Sequence, residues 1–172
     1  MDEAEIRWFL EKDYARLVNA MTILGGSRPA AEDAVQEALG RAWELSDGGG
    51  HIDSLPAWVT AAARNLLRDR IRRVMAERRA RGRMQVRESA GQAMDVVAAE
   101  RRADVARALA SLPRRQREVA VFRYYLDLDV AEIATVLSVP EGTVRSTLHR
   151  ARRSIARALA YDDAEEGSDV PH

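Results

Sequence analysis

The 172-residue sequence predicts an all-α protein of two small helical domains joined by a flexible linker. Three observations carry that expectation. Apolar residues recur every three or four positions through nearly the whole chain, and no stretch alternates as a half-buried strand would. Aromatic residues make up only 5% of a chain that is 47% hydrophobic, so the core must be mainly Ala, Leu, Val and Ile. Such a core suits thin helical packing better than a β-sandwich. The apolar period fades between Arg78 and Gln92, where Arg, Gly, Ser and Gln dominate, and returns at Val96 and Val97. The expected organisation is a domain at 1–80, a linker at 81–95, a domain at 96–160 and an acidic tail at 161–172.

In the first domain Ile6, Phe9, Leu10, Leu17, Met21 and Leu24 trace one helix, stopped by Gly25-Gly26-Ser27-Arg28-Pro29. A second helix is expected from about Ala30 to Leu45, with Ala34, Val35, Ala38, Leu39 and Ala42 facing inwards and Trp43 in the core. Asp47-Gly48-Gly49-Gly50-His51 reads as a loop. Pro56 opens a third helix running to about Arg81, with Val59, Ala63, Leu66, Leu67, Ile71 and Val74 as its stripe. In the second domain Val105, Leu109 and Leu112 continue the period, and Pro113 starts a helix carrying Val119, Phe122 and Tyr125. Asp129 followed three residues later by Glu132 is a capping-box start for a short helix with Ile133, Ala134 and Leu137. Ser138-Val139-Pro140 ends it, and a long final helix follows.

The composition excludes several functions. There is no cysteine, which removes disulfide scaffolds, thiol catalysis and cysteine-ligated metal. His51, His149 and His172 lie too far apart to suggest a metal site. There is no Gly-rich phosphate loop and no nucleophile near a histidine, so neither an enzyme nor a cofactor is expected. No apolar run approaches the roughly 20 residues of a membrane span, and the acidic start is unlike a signal peptide. A soluble, cytoplasmic protein without membrane insertion is the expectation. The formal net charge of zero hides an uneven distribution: −4 over residues 1–45, +3 over 46–100, +6 over 101–160 and −5 over the last twelve. An acidic front with a basic middle and rear suggests two different partners.

The rear segment from Asp129 to Ala160 has helix-turn-helix form, with a turn of about four residues. Val144, Leu148, Ala151 and Ile155 cover roughly 60° of the last helix at about 100° per residue. Ser146, His149, Arg150, Arg153 and Arg157 fall on the opposite side. Glu141 and Thr143 sit at the N-terminal end, which enters the major groove in this motif. Geometry alone allows a solvated basic face as well as a DNA-reading one. The wording is more specific. Leu109-Ala110-Ser111-Leu112-Pro113, Glu132-Ile133-Ala134 and Pro140-Glu141-Gly142-Thr143-Val144-Arg145-Ser146 resemble region 4 of bacterial RNA polymerase sigma factors, especially the extracytoplasmic-function class. Response-regulator output domains share part of this pattern. The resemblance implies that Thr143, Arg145, Ser146, His149, Arg150 and Arg153 meet the minus-thirty-five promoter element. Arginine can bind guanine bidentately, whereas serine discriminates weakly and an imidazole aids a phosphate contact only when protonated.

The front half resembles region 2 of the same class. Ala31-Glu32-Asp33-Ala34-Val35-Gln36-Glu37-Ala38 and Arg41-Ala42-Trp43 look like the segment that docks on core RNA polymerase. Asp33, Gln36 and Glu37 share one exposed helix face, which suits arginines of a partner helix and would otherwise be merely solvated. Gly40 departs from the family, which has a larger residue there, and costs the helix up to about 1 kcal/mol. Leu55-Pro56-Ala57-Trp58-Val59, Ala63-Arg64-Asn65 and Asp69-Arg70-Ile71-Arg72-Arg73 resemble the segment that recognises and opens the minus-ten element. Arg64, Arg68 and Arg72 recur every four residues as a stripe for phosphates, with Asn65 beside it as a base-reading amide. Trp58 is either a stacking platform or a core residue, and the loop from Ser46 to Ser54 would wall a base pocket, as in the family.

The function implied is a sigma factor that binds core RNA polymerase and promoter DNA. Members of this class are commonly held by an anti-sigma factor, so such a partner is implied without being named. The alternative is a stand-alone helix-turn-helix regulator, which requires a dimerisation element and a palindromic site. No such element is evident, and the front half would then have no task. The linker arginines Arg79, Arg81 and Arg83 are expected near nucleic acid, and the acidic tail is either a regulatory contact or a solubilising end.

Overall fold

The computed structural model describes residues 3–80 and 105–166, all of whose regular elements are helical. The linker at 81–95, with Arg81 and Arg83, the start of the second domain at 96–104 and the tail beyond 166 lie outside the described residues. The helices divide into two compact units, each described by itself.

The first unit contains α1 (Glu3–Lys12), α2 (Tyr14–Gly25), α3 (Arg28–Asp47) and α4 (Leu55–Ala80). Where the apolar period suggests one helix over Ile6–Leu24, the helix is interrupted at Asp13, whose φ of −111° is well away from the ideal helical value. Aspartate competes for the backbone within helices and favours their ends. Phe9, Leu17, Val18 and Met21 remain buried on both sides of the interruption, which is why the period reads through it. Leu10 points outwards instead, 49% exposed.

Gly26 ends α2 in the left-handed region at φ 72°, donating its N–H to the Thr22 carbonyl. Ser27 then caps α3, with Pro29 in the first turn. A Cβ on Gly25 would lie 2.8 Å from Leu67 Cδ2, so this glycine lets the end of α2 rest against α4. The buried face of α3 is Ala30, Ala31, Ala34, Val35, Ala38 and Ala42. That nearly all-alanine seam brings the neighbouring helices close and leaves no volume for an indole. Trp43, expected in the core, is accordingly turned out and 52% exposed. On α4 the stripe Leu55, Val59, Ala63 and Leu67 is buried, Leu66 and Ile71 are half-buried, and Val74 is exposed. Asp33 in the second turn of α3 pairs with Arg70, so little of α3 remains alongside Val74 to cover it.

The helices that follow in the chain are α5 (105–111), α6 (Arg114–Ala120), a π-helical turn (Val121–Tyr125), α7 (Val130–Leu137) and α8 (Glu141–Glu166). Arg117 Nη2 donates to the carbonyls of Ala110 at 2.6 Å and Leu112 at 3.2 Å, satisfying the end of α5. The Leu126 N–H reaches back five residues to the Val121 carbonyl. This wider turn shifts the register, so Val119 and Phe122 are buried while Tyr125, next in the same apolar period, is 36% exposed.

The capping box on α7 is reciprocal: Asp129 N–H donates to Glu132 Oε2 at 2.7 Å, and Glu132 N–H to Asp129 Oδ1 at 2.8 Å. Ser138 closes α7 at φ 53°, and only residues 138–140 separate it from α8, a turn shorter than expected. Val144, Leu148 and Ala151 are buried and Ile155 half-buried, which agrees with the register expected from their spacing. Leu112, Ala120 and Ala151 form a core cluster, packed by Leu109 and Ile155. The expected tail begins inside α8, which continues to Glu166.

Candidate nucleic-acid and partner interface

Asp33, Gln36 and Glu37 are brought together on an exposed face of α3, but the carboxylates are not bare. Arg70 of α4 sets Nη1 2.6 Å from Asp33 Oδ2. Arg41 Nη2 lies 2.7 Å from Glu37 Oε1, and Gln36 Nε2 donates to the Tyr14 hydroxyl at 3.4 Å. Both ion pairs are solvent-exposed and contribute about 0–1 kcal/mol each. They matter because a cationic partner must share or displace these guanidinium groups. The Glu37–Arg41 pair follows from a spacing of four; Asp33–Arg70 spans 37 positions, and nothing local in the sequence signals it.

Along α4, Trp58, Ala61, Ala62, Asn65, Leu66 and Asp69 face an open groove of about 450 Å³, completed by Arg41 and Leu45 of α3. Trp58 is half-buried, so its ring neither lies wholly in the core nor stands free. The segment from Ser46 to Ser54, expected as a wall, contributes none of the lining. Asp69 joins Asn65 in the groove one turn on, a neighbour that the basic-stripe reading overlooks. The arginines recurring every four residues differ in state. Arg64 is half-buried and donates through Nη1 to Asn65 Oδ1 at 3.2 Å. Arg72 pairs with Asp69 at 3.0 Å. Arg68 is exposed, with no hydrogen bond or ion pair among the described residues.

On α8 the side chains of Thr143, Arg145, Ser146, His149, Arg150 and Arg153 are all exposed, opposite or flanking the buried Val144, Leu148 and Ala151. Arg145 Nη2 meets Glu141 Oε2 at 2.5 Å. Arg150 donates from Nε to the Ser146 carbonyl at 3.3 Å and from Nη2 to Ser146 Oγ at 3.4 Å. Glu141 as the partner of Arg145 was legible from its i,i+4 spacing, though the basic-face pattern alone passes over it. Among the described residues no cluster of His, Asp or Glu could hold a metal, and no helix is long and apolar enough to cross a membrane.

Residues 10–77 match the Sigma-70 region 2 family and residues 102–155 match Sigma-70 region 4. With two helical units, the second carrying a helix-turn-helix, these matches define the class as an RNA polymerase sigma factor. More particularly, the chain belongs to the extracytoplasmic-function (ECF) sigma factors. It is 37% identical over 139 residues to the ECF sigma factor SigL of Mycobacterium tuberculosis, covering 79% of this chain and 78% of that protein. It is 30% identical over 146 residues to EcfG of Rhodopseudomonas palustris, covering 83% and 78%. Its fold is similar to the sigma factor RpoE in complex with the anti-sigma factor NepR from Bartonella quintana, with a TM-score of 0.75 at 23% identity over 91% of this chain and 98% of that one. CnrH in complex with the cytosolic domain of CnrY shares the fold with a TM-score of 0.65, also at 23% identity, over 92% and 89%.

Proposed function

We propose that this sigma factor binds core RNA polymerase through α3 and starts transcription by reading the minus-ten element with α4 and the minus-thirty-five element with α8. In this reading residues 1–80 and 96–160 are the two working domains and 81–95 connects them. Asp33, Gln36 and Glu37 meet the polymerase. Trp58 and Asn65 receive minus-ten bases, while Arg64, Arg68 and Arg72 track phosphates. Thr143, Arg145, Ser146, His149, Arg150 and Arg153 form the minus-thirty-five surface. The observation that carries the reading is the shared groove of Trp58 and Asn65, where an aromatic face and an amide converge beside an exposed arginine. The chain acts in the cytoplasm as a polymerase subunit and has no catalytic centre of its own. An anti-sigma protein is a partner class for it, a proposal drawn from the RpoE and CnrH complexes that share its fold.

Run-off transcription with core polymerase, with and without the chain, tests this. Promoter-specific starts should appear only when both are present. Tight binding of the chain alone to a palindromic duplex as a dimer, with no effect on initiation, would instead establish a stand-alone regulator.

A further inference from the structure

The arginines on the exposed side of α8 differ in how they are held. Arg145 is fixed by Glu141 and Arg150 by Ser146, in each case the residue four positions earlier. Arg153, one turn further along, makes no side-chain hydrogen bond or ion pair among the described residues. Base reading by arginine requires a planar fork in one orientation, whereas a phosphate contact tolerates many. Arg157 also donates from Nε to the carbonyl four residues earlier, at 3.3 Å, so a backbone tether alone does not mark a base-reading arginine. Among these arginines Arg145 is set apart because a carboxylate holds its guanidinium.

Glu141 has a simpler role available, as the first residue of α8 favourably placed at a helix N-terminus. That role places no demand on which side chain the carboxylate touches. It also carries a disadvantage, since the N-terminal end of such a helix enters the major groove close to phosphates. A negative charge kept there and spent on Arg145 makes sense if the arginine must be aimed. Glu141 occupies one N–H of Nη2, leaving the second N–H of Nη2 and both on Nη1 free. Two of these suffice for the O6 and N7 acceptors of guanine.

We infer that Glu141 is a positioning residue for promoter discrimination, holding the Arg145 guanidinium in the orientation that reads guanine. The inference rests on the proposed role of α8 at the minus-thirty-five element. Its test uses the full chain bound to core polymerase and duplex promoters randomised over that element, with sequencing of the bound pool. E141A, E141Q, R145A and E141A/R145A are compared, and circular dichroism checks that each is folded. E141A should relax preference at the same base pair that R145A relaxes, by about three- to tenfold, the scale of ordering one flexible side chain. E141Q keeps an acceptor and should retain part of the discrimination. E141A added to R145A should change nothing more. A uniform change in affinity for all sequences would reduce Glu141 to an electrostatic or helix-end role and overturn the inference. Altered preference at a different base pair would make Glu141 a direct contact and overturn it equally. If R145A itself leaves every preference intact, the assignment of Arg145 fails, and the inference fails with it.

Discussion

The exposed faces of α3 and α8 both carry charge, but that charge is anchored differently. On α8, Glu141 holds Arg145 and Ser146 holds Arg150, all within one helix at a spacing of four. On α3, Asp33 is held from α4 by Arg70, while Glu37 is held by Arg41 of its own helix. A face anchored within one helix is specified by local sequence; one anchored between helices exists only once they have packed. The α8 surface should therefore tolerate loosening of its core better than the α3 surface does. The alanine seam Ala31, Ala34, Ala38 and Ala42 thus sets both the stability of the unit and the placement of its acidic face.

The strongest way to break this comparison is to reverse charge on α3. Asp33→Arg with Glu37→Arg should weaken binding to core polymerase by more than about 2 kcal/mol, if these carboxylates are desolvated at the interface. Titration of labelled chain with core polymerase measures the loss, and circular dichroism reports the fold. Exchanging Asp33 and Arg70 sharpens the test, because it preserves the internal ion pair while reversing its direction. Affinity restored by the exchange would show that the pair matters only for folding, and the polymerase assignment of Asp33 would be wrong.

Next in size is the division of labour on α4. Asn65→Ala should lower open-complex formation and relax preference at one minus-ten position, by about 1–3 kcal/mol. Arg68→Ala should weaken all promoters alike and reduce the salt dependence of binding. Permanganate reactivity of melted thymines, followed over a salt series, separates the two. Equal behaviour of both variants would remove base reading from Asn65.

On α8 the corresponding contrast lies between Arg150 and Arg157. Arg150→Ala should cost about 1–3 kcal/mol and change base preference at the minus-thirty-five element. Arg157, nearly two turns further from the helix N-terminus, should at most shallow the salt slope when replaced by Ala. Footprinting across single-base variants reads both. Control of base preference by Arg157 would move the reading register down the helix.

How much of this was legible in the sequence follows the same division. The α8 register was readable because Val144, Leu148, Ala151 and Ile155 repeat on one helix, and the α7 start because Asp129 and Glu132 cap each other locally. Membership of the sigma class was readable from short words within single helices. The exposure of Trp43 was not, since it depends on how closely an alanine seam draws other helices in. The π-helical turn at Val121–Tyr125 was hidden because the apolar period does not record a single extra residue. Packing between helices concealed Arg70 beside Asp33 and Arg41 in the groove of Asn65, whereas Asp69, four residues from Asn65 on α4, was legible in the local spacing.

The smallest expected effect lies at Gly40, one turn beyond Gln36 on α3. A Cβ there would meet nothing within 4 Å, so Gly40→Ala adds no clash and removes the entropic cost of glycine in a helix interior. The fold should gain about 0.5–1 kcal/mol in denaturant titration. The same change at Gly25 should destabilise, because the new methyl would press on the buried Leu67. What Gly40→Ala does to polymerase affinity then measures how far the α3 interface extends. Unchanged affinity would end the contact near Glu37. Weaker binding by a more stable protein cannot come from the fold, and would mean that a partner approaches the α3 backbone closely enough at Gly40 to exclude a methyl group.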